Sequence, residues 1–253
     1  MLTLKEKFFD VMEYVGSVFI LLWQVLLNLR GLYRKFGFFI EQIHSQGVKS
    51  ISIVLFTSVF MGMVTAYQAY YQGQNYMPDV YIGMAVTKAL FIELGPLIVG
   101  LVIAGRVASS IAAELGTMKV TEQIDALEAL AINPIEHLVV PRVFAGIIVL
   151  PILTIIAEFT GIIGGWMLSV YSLNISHAVF WRGVRLDYIP ITLYGGLIKS
   201  MTFGLTLTLM GCFYGLRAKG GAEGVGEATT KAVISSTILI LFLDYVVSRL
   251  VFD

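Results

Sequence analysis

Hydrophobic positions along this chain fall into long runs rather than into the short alternations of a soluble fold. No charged residue occurs from Ser50 to Pro78, and about Val86 to Gly105 holds only Lys88 and Glu93. Residues from about Val143 to Leu173 are interrupted only by Glu158, and about Leu186 to Leu216 carries Lys199 in its interior. Ala232 to Phe252 contains Asp244 and Arg249 and is the weakest of the five by hydropathy. A helix needs about 20 residues to cross a hydrocarbon core, so the pattern predicts five membrane-spanning helices. Tyr14 to Leu29 is apolar but short, lies between MLTLKEKFFD and basic RGLYRK, and is followed by FGFFIEQIHSQGVK. That arrangement predicts an interfacial N-terminal helix or helical hairpin over residues 1–49. A sixth span is the alternative. No small-residue cleavage site follows the run, and Asp10 and Glu13 precede it, which argues against a signal peptide.

Composition agrees with an all-α integral membrane protein. Hydrophobic residues make up 57% of the 253 positions and charged residues 13%, against roughly half and about a quarter in soluble domains. Lys plus Arg and Asp plus Glu number 17 each, so net charge suggests no nucleic-acid partner. The lone Cys212, in LTLMGCFYGL, excludes an intrachain disulfide and reads as a small buried residue. His44, His137 and His177 are far apart and form no metal-ligand spacing, so no metal is expected.

Basic residues alternate between the connecting segments. Arg30, Arg34, Lys35 and Lys49 precede the first span, and only Lys88 follows; Arg106, Lys119 and Arg142 come next, then Arg182 and Arg185, then Arg217, Lys219 and Lys231. Positive charge concentrates in cytoplasmic segments. Ala104–Arg142 and the Gly-rich connection RAKGGAEGVGEATTK are therefore expected to be cytoplasmic, with the C-terminus outside. Within Ala104–Arg142 the spacing from Thr121 is helical: Ile124, Leu127 and Ala131 share one side, and Glu122, Asp125 and Glu128 the other. Thr121 is the expected N-cap and Asn133-Pro134 the stop. Helices that rest on a cytoplasmic leaflet are usually basic, so an acidic one fits docking into a groove of another protein. Uphill transport needs energy, and the chain has no GxxxxGK[ST] loop: Lys49-Ser50 and Lys199-Ser200 lack the glycine. Any ATPase is a separate chain.

ELGPLIVGLVIAGRVASSIAAELGTMKVTEQIDALEALAINP, then LVVPR, and later EGVGEATTKAVISS followed by LDY, resemble the MlaE/YrbE permeases, membrane subunits of ABC systems that work with MCE-domain proteins to move lipids. The likeness runs from about Gln74 to the C-terminus. It implies a single permease domain over residues 1–253, with a five-span core over 50–253 and a coupling segment over 106–142. Also implied are a homodimer in a bacterial inner membrane, a cytoplasmic ATPase that binds ATP and Mg, a periplasmic MCE protein, and phospholipid as substrate. Two cell membranes differing in lipid content would be the setting. The coupling role falls on Glu114, Gly116, Lys119, Glu122, Gln123, Asp125 and Glu128. Some relatives carry an arginine directly before the Glu of ELGP; here that residue is Ile92.

Ionisable residues inside a bilayer mark function by default, and here they are Glu93, Glu158, Lys199 and Asp244. Lys199 lies roughly 20 Å from the outer face and Asp244 about 18 Å from the cytoplasm at 1.5 Å per residue, depths compatible with a pair; a structural Lys199–Asp244 or Lys199–Glu158 bridge is expected, with direct substrate contact as the alternative. Glu93 precedes Leu94 and then Gly95-Pro96, which interrupts helical hydrogen bonding and favours a cavity wall. Tyr67, Gln68, Tyr70, Tyr71 and Gln72 end the first span; they read equally as an interfacial aromatic belt or as part of a lipid path. Gly161 with Gly165 and Gly211 with Gly215 have the spacing of close helix packing. The competing functional class is a self-contained, ion-coupled transporter using Glu158, Lys199 and Asp244. No HExxH or GxSxG signature supports an enzyme.

Overall fold

The computed structural model describes residues 4–29, 36–73, 76–186 and 190–252. They form helices without strands: α1 Leu4–Leu27, α2 Phe36–Gln46, α3 Ile51–Gly73, α4 Val80–Ala89, α5 Gly95–Ile103, α6 Ser109–Val120, α7 Gln123–Ala129, α8 Val140–Tyr171, α9 His177–Leu186, α10 Pro190–Gly215 and α11 Gly221–Phe252. Three wider π-helical turns, Leu90–Leu94, Ala104–Ala108 and Ile135–Val139, join α4 to α5, join α5 to α6 and lead into α8. Five helical stretches are long and apolar enough to cross a membrane: Phe36–Gly73, Val80–Val120, Ile135–Tyr171, Pro190–Gly215 and Gly221–Val251. Within α1, Met12–Leu27 is an apolar stretch.

Several boundaries differ from the expected ones. Phe36–Gln46 continues into α3 through a single tight turn at Val48–Ser50, so FGFFIEQIHSQ belongs to the first long helix. The Val80–Val120 stretch has 41 residues, about 60 Å of helix, twice the hydrocarbon thickness. The segment opening at Ala104 is thus a continuation of the second helix. The Gly-rich stretch is also mostly helix, because α11 starts at Gly221 and runs for 32 residues. Its glycines shape the turn: Gly220 and Gly221 have φ of +87° and +69°, and a Cβ on Gly224 would strike the Lys219 carbonyl. The basic Arg30, Arg34 and Lys35 lie outside the described residues.

Packing separates the chain into two compact units. In the unit of residues 44–103, 147–204 and 239–253, the core gathers Ala66, Ile82, Val86, Leu90, Ile162, Ile175 and Phe180. Glycines let backbones touch there. A Cβ on Gly62 would overlap the Gly161 carbonyl, one on Gly164 would strike Val59, and Gly165 faces Val86 and the Gly62 carbonyl. The GxxxG pair of α8 therefore seats α3. Gly83 and Gly183 bring α4 and α9 together in the same way.

The other unit comprises residues 1–43, 104–146 and 205–238. Gly211 lies against Ala108 and Ile111, and Gly215 against Ala112 and Leu115, so the second glycine pair seats α6. Arg142, fully buried, donates to the Leu138 carbonyl at 2.7 Å and to Glu114 Oε1 at 2.6 Å, with its guanidinium 5.0 Å from the centre of the Phe38 ring. Cys212 is buried and unpaired, as expected.

Candidate functional site

Lys199 is the centre of a buried polar cluster in the first of these units. Its Nζ lies 2.6 Å from Glu93 Oε2 and 2.9 Å from Asp244 Oδ1, and donates to the Ile92 carbonyl at 2.9 Å. The backbone explains the last contact. In an α-helix the Ile92 carbonyl would accept from residue 96, but Pro96 has no N–H. The lysine supplies the missing donor. The π-helical turn at Leu90–Leu94, closed by the Gly95 N–H to the Leu90 carbonyl, widens the helix where Glu93 departs from it. The expected Lys199–Asp244 bridge is present, and the alternative bridge to Glu158 is not. Glu158 is buried, with Oε1 lacking a hydrogen-bond partner among the described residues and turned towards Gly95 and Gly196.

A cavity of about 530 Å³ opens where α3 ends and α4 begins, lined by Tyr70, Gln72, Gly73, Met77, Tyr81 and Ile82 among others. Of the aromatic stretch singled out in the sequence, only Tyr70 and Gln72 line it. Tyr67 and Tyr71 are exposed at 55% and 70%, and Gln68 is also exposed. Leu94 packs with Tyr70 against the core around Val86 and Leu90.

At the α6–α7 turn the helix begins one residue later than expected. Thr121 closes α6, its hydroxyl donating to the Thr117 carbonyl at 2.8 Å, and is not the N-cap of α7. That position is taken by Glu122 in the left-handed region at φ 62°, a conformation that folds α7 sharply back from α6. Glu122 therefore stands at the turn, and only Asp125 and Glu128 share the acidic helical face. Lys119 pairs with Asp125 at 2.6 Å, and Gln123 donates to the Thr121 hydroxyl at 3.1 Å. Ile124 is buried and Leu127 half-buried, whereas Ala131 lies beyond the helix end at φ 58° and is exposed. The apolar groups presented outward are Leu130, at 71% exposure, and Ile132. Neither was selected from helical periodicity, because both lie past the last turn. Asn133 Oδ1 accepts from the Ile135 N–H ahead of the next helix. Glu114 holds Arg142, and Gly116 is buried against Ala218 and Val225. Among the described residues no metal-binding cluster occurs.

The sequence from Phe39 to Leu250 matches the family model for the permease MlaE. The chain belongs to that family. A probable ABC transporter permease protein of Rickettsia conorii is 41% identical over 213 residues, covering 84% of this chain and 82% of the relative. The intermembrane phospholipid transport system permease protein MlaE of Haemophilus influenzae is 30% identical over 98% of this chain and 96% of its own length. The chloroplastic protein trigalactosyldiacylglycerol 1 of Arabidopsis thaliana is 36% identical over 85% of this chain and 61% of the plant protein. A multi-pass, all-helical membrane permease of the MlaE family accounts for the five long apolar helices.

Proposed function

We propose that this chain is the permease subunit of an ABC transporter that moves phospholipid between a bacterial inner membrane and an MCE-protein conduit. The observation that carries this reading is the near full-length relationship to the Haemophilus phospholipid permease. A homodimer engages a separate cytoplasmic ATPase through the α6–α7 turn, with Glu122, Gln123, Asp125 and Glu128 as the polar contacts and Leu130 as an apolar anchor. ATP and Mg bind the ATPase, not this chain, and the C-terminus faces the periplasm with the MCE partner. Tyr70 and the α3–α4 cavity form part of the lipid path, with Tyr67, Gln68 and Tyr71 at its rim. The Glu93–Lys199–Asp244 cluster fixes the helices around it.

The test is gentle-detergent purification of the tagged chain from its own cells, with mass spectrometry of co-purifying proteins and lipids. The expected result is an ATPase, an MCE protein and phospholipid with the native chain, and loss of the ATPase alone after E122K/D125K/E128K. A complex left intact by that reversal overturns the docking role. Lipid transport in vesicles without ATP would replace the whole reading with ion-coupled transport.

A further inference from the structure

Where α1 crosses the end of α10 and the start of α11, all within one compact unit, two cavities share a wall. The first, about 310 Å³, is mostly apolar and includes Ile20, Leu21, Ile135 and Leu216. The second, about 350 Å³, is also mostly apolar in its lining but carries the charged Lys219, Glu227 and Lys231 beside Tyr14. Phe213 and Arg217 line both. The Arg217 guanidinium stacks 4.0 Å from the centre of the Phe213 ring, which fixes a planar set of donors at the junction. Tyr14 is held edge-on to Phe213 at 5.1 Å and donates its hydroxyl to Tyr214 Oη at 2.5 Å, while the Tyr214 and Ser235 hydroxyls lie 2.7 Å apart. In the second cavity Lys231 pairs with Glu227 at 2.7 Å. Arg217 and Lys219 form no ion pair with an acidic side chain among the described residues.

An apolar slot beside a cationic bowl, with a guanidinium at the junction, has the form of an amphiphile with an anionic head. We propose that this cleft binds an anionic phospholipid, its phosphodiester on Arg217 and Lys219 and one acyl chain along Ile20 and Leu21. A free phosphate would use the bowl alone. The side of the membrane agrees, because Arg217, Lys219 and Lys231 form one of the basic connections assigned to the cytoplasm, where anionic lipid resides. Bound lipid would anchor α1 against α10. The site does not depend on the chain transporting lipid.

The cleft can be read directly through Trp23, which is exposed on α1 one residue before Gln24 of the apolar slot. The full-length chain is placed in phosphatidylcholine nanodiscs without ATPase, phosphatidylglycerol with brominated acyl chains is added, and quenching is corrected with W23F. Saturable quenching is expected, stronger than with brominated phosphatidylcholine. R217Q/K219Q should raise the half-saturating phosphatidylglycerol fraction at least about tenfold, each surface cation contributing roughly fivefold to anionic-lipid binding. Should that variant fail to fold, K219Q alone, an exposed substitution, should cost about fivefold. Quenching equal for the two lipids, or unchanged in these variants, overturns the proposal. Displacement by glycerol phosphate reassigns the bowl to a soluble phosphate and overturns the lipid assignment.

Discussion

Replacing Lys199 with methionine keeps side-chain length and removes the charge that Glu93 and Asp244 share. The lysine is fully buried, and its three contacts are at 2.6, 2.9 and 2.9 Å. Breaking a buried ion pair by deleting one partner costs about 3–5 kcal/mol, because the remaining charge stays desolvated. The Glu93 side chain is 42% exposed and can recover some solvation, whereas Asp244 at 10% cannot. That places the ion-pair loss near the lower bound, about 3 kcal/mol. The Ile92 carbonyl, which Pro96 cannot serve, adds about 1 kcal/mol. A total of about 4 kcal/mol corresponds to a fall in melting temperature of about 8–16 °C for a chain of this size. Thermal unfolding of the detergent-solubilised protein measures it. Adding E93Q and D244N to K199M should recover at least half of the loss, since no unpaired charge then remains. A K199M melting temperature within about 2 °C of the native value, about 1 kcal/mol or less, or no recovery in the triple variant, would refute the reasoning.

Arg142→Met should cost about 2–3 kcal/mol in the same unfolding assay, from two lost hydrogen bonds to a buried guanidinium. By contrast, Lys119→Ala, which breaks a solvent-exposed pair, should cost under about 1 kcal/mol. Gly62→Ala puts a methyl into the Gly161 carbonyl and should destabilise by about 1–3 kcal/mol or more. Gly105→Ala meets nothing within 4 Å and should leave the melting temperature equal or slightly raised. Cys212, the only cysteine and fully buried, should resist maleimide in the folded protein and label fully on unfolding; rapid native labelling would contradict its burial.

Run length made the five spans legible, because a charge-poor stretch of spanning length has few other fates in a folded chain. Their ends were not legible in the same way. Hydropathy falls where a helix leaves lipid, but backbone hydrogen bonding does not, so α6 and the first turns of α11 read as loop while being helix. Glycine content misled further at α11, where Gly220 and Gly221 shape the turn that opens the helix and Gly224 permits its tight start. The lysine cluster was half legible. Depth pointed to Asp244, which does pair with Lys199, whereas Glu158, offered beside it, does not, and only Pro96, four residues beyond Ile92, signalled that a donor was needed beside Glu93. At the α6–α7 turn the acidic residues were visible, but the left-handed Glu122 was not, because nothing in its side chain requires that conformation.

The π-helical turns at Leu90–Leu94, Ala104–Ala108 and Ile135–Val139 each hold one residue more than the helix around them. The extra residue turns every side chain that follows it by about 100° about the helix axis relative to an unbroken α-helix. Two of the three interrupt the single stretch, Val80–Val120, that carries Glu93 and ends just before the α6–α7 turn. The two insertions therefore set which side chains lie on each face of that stretch, as two extra stitches turn the pattern of a knitted cord.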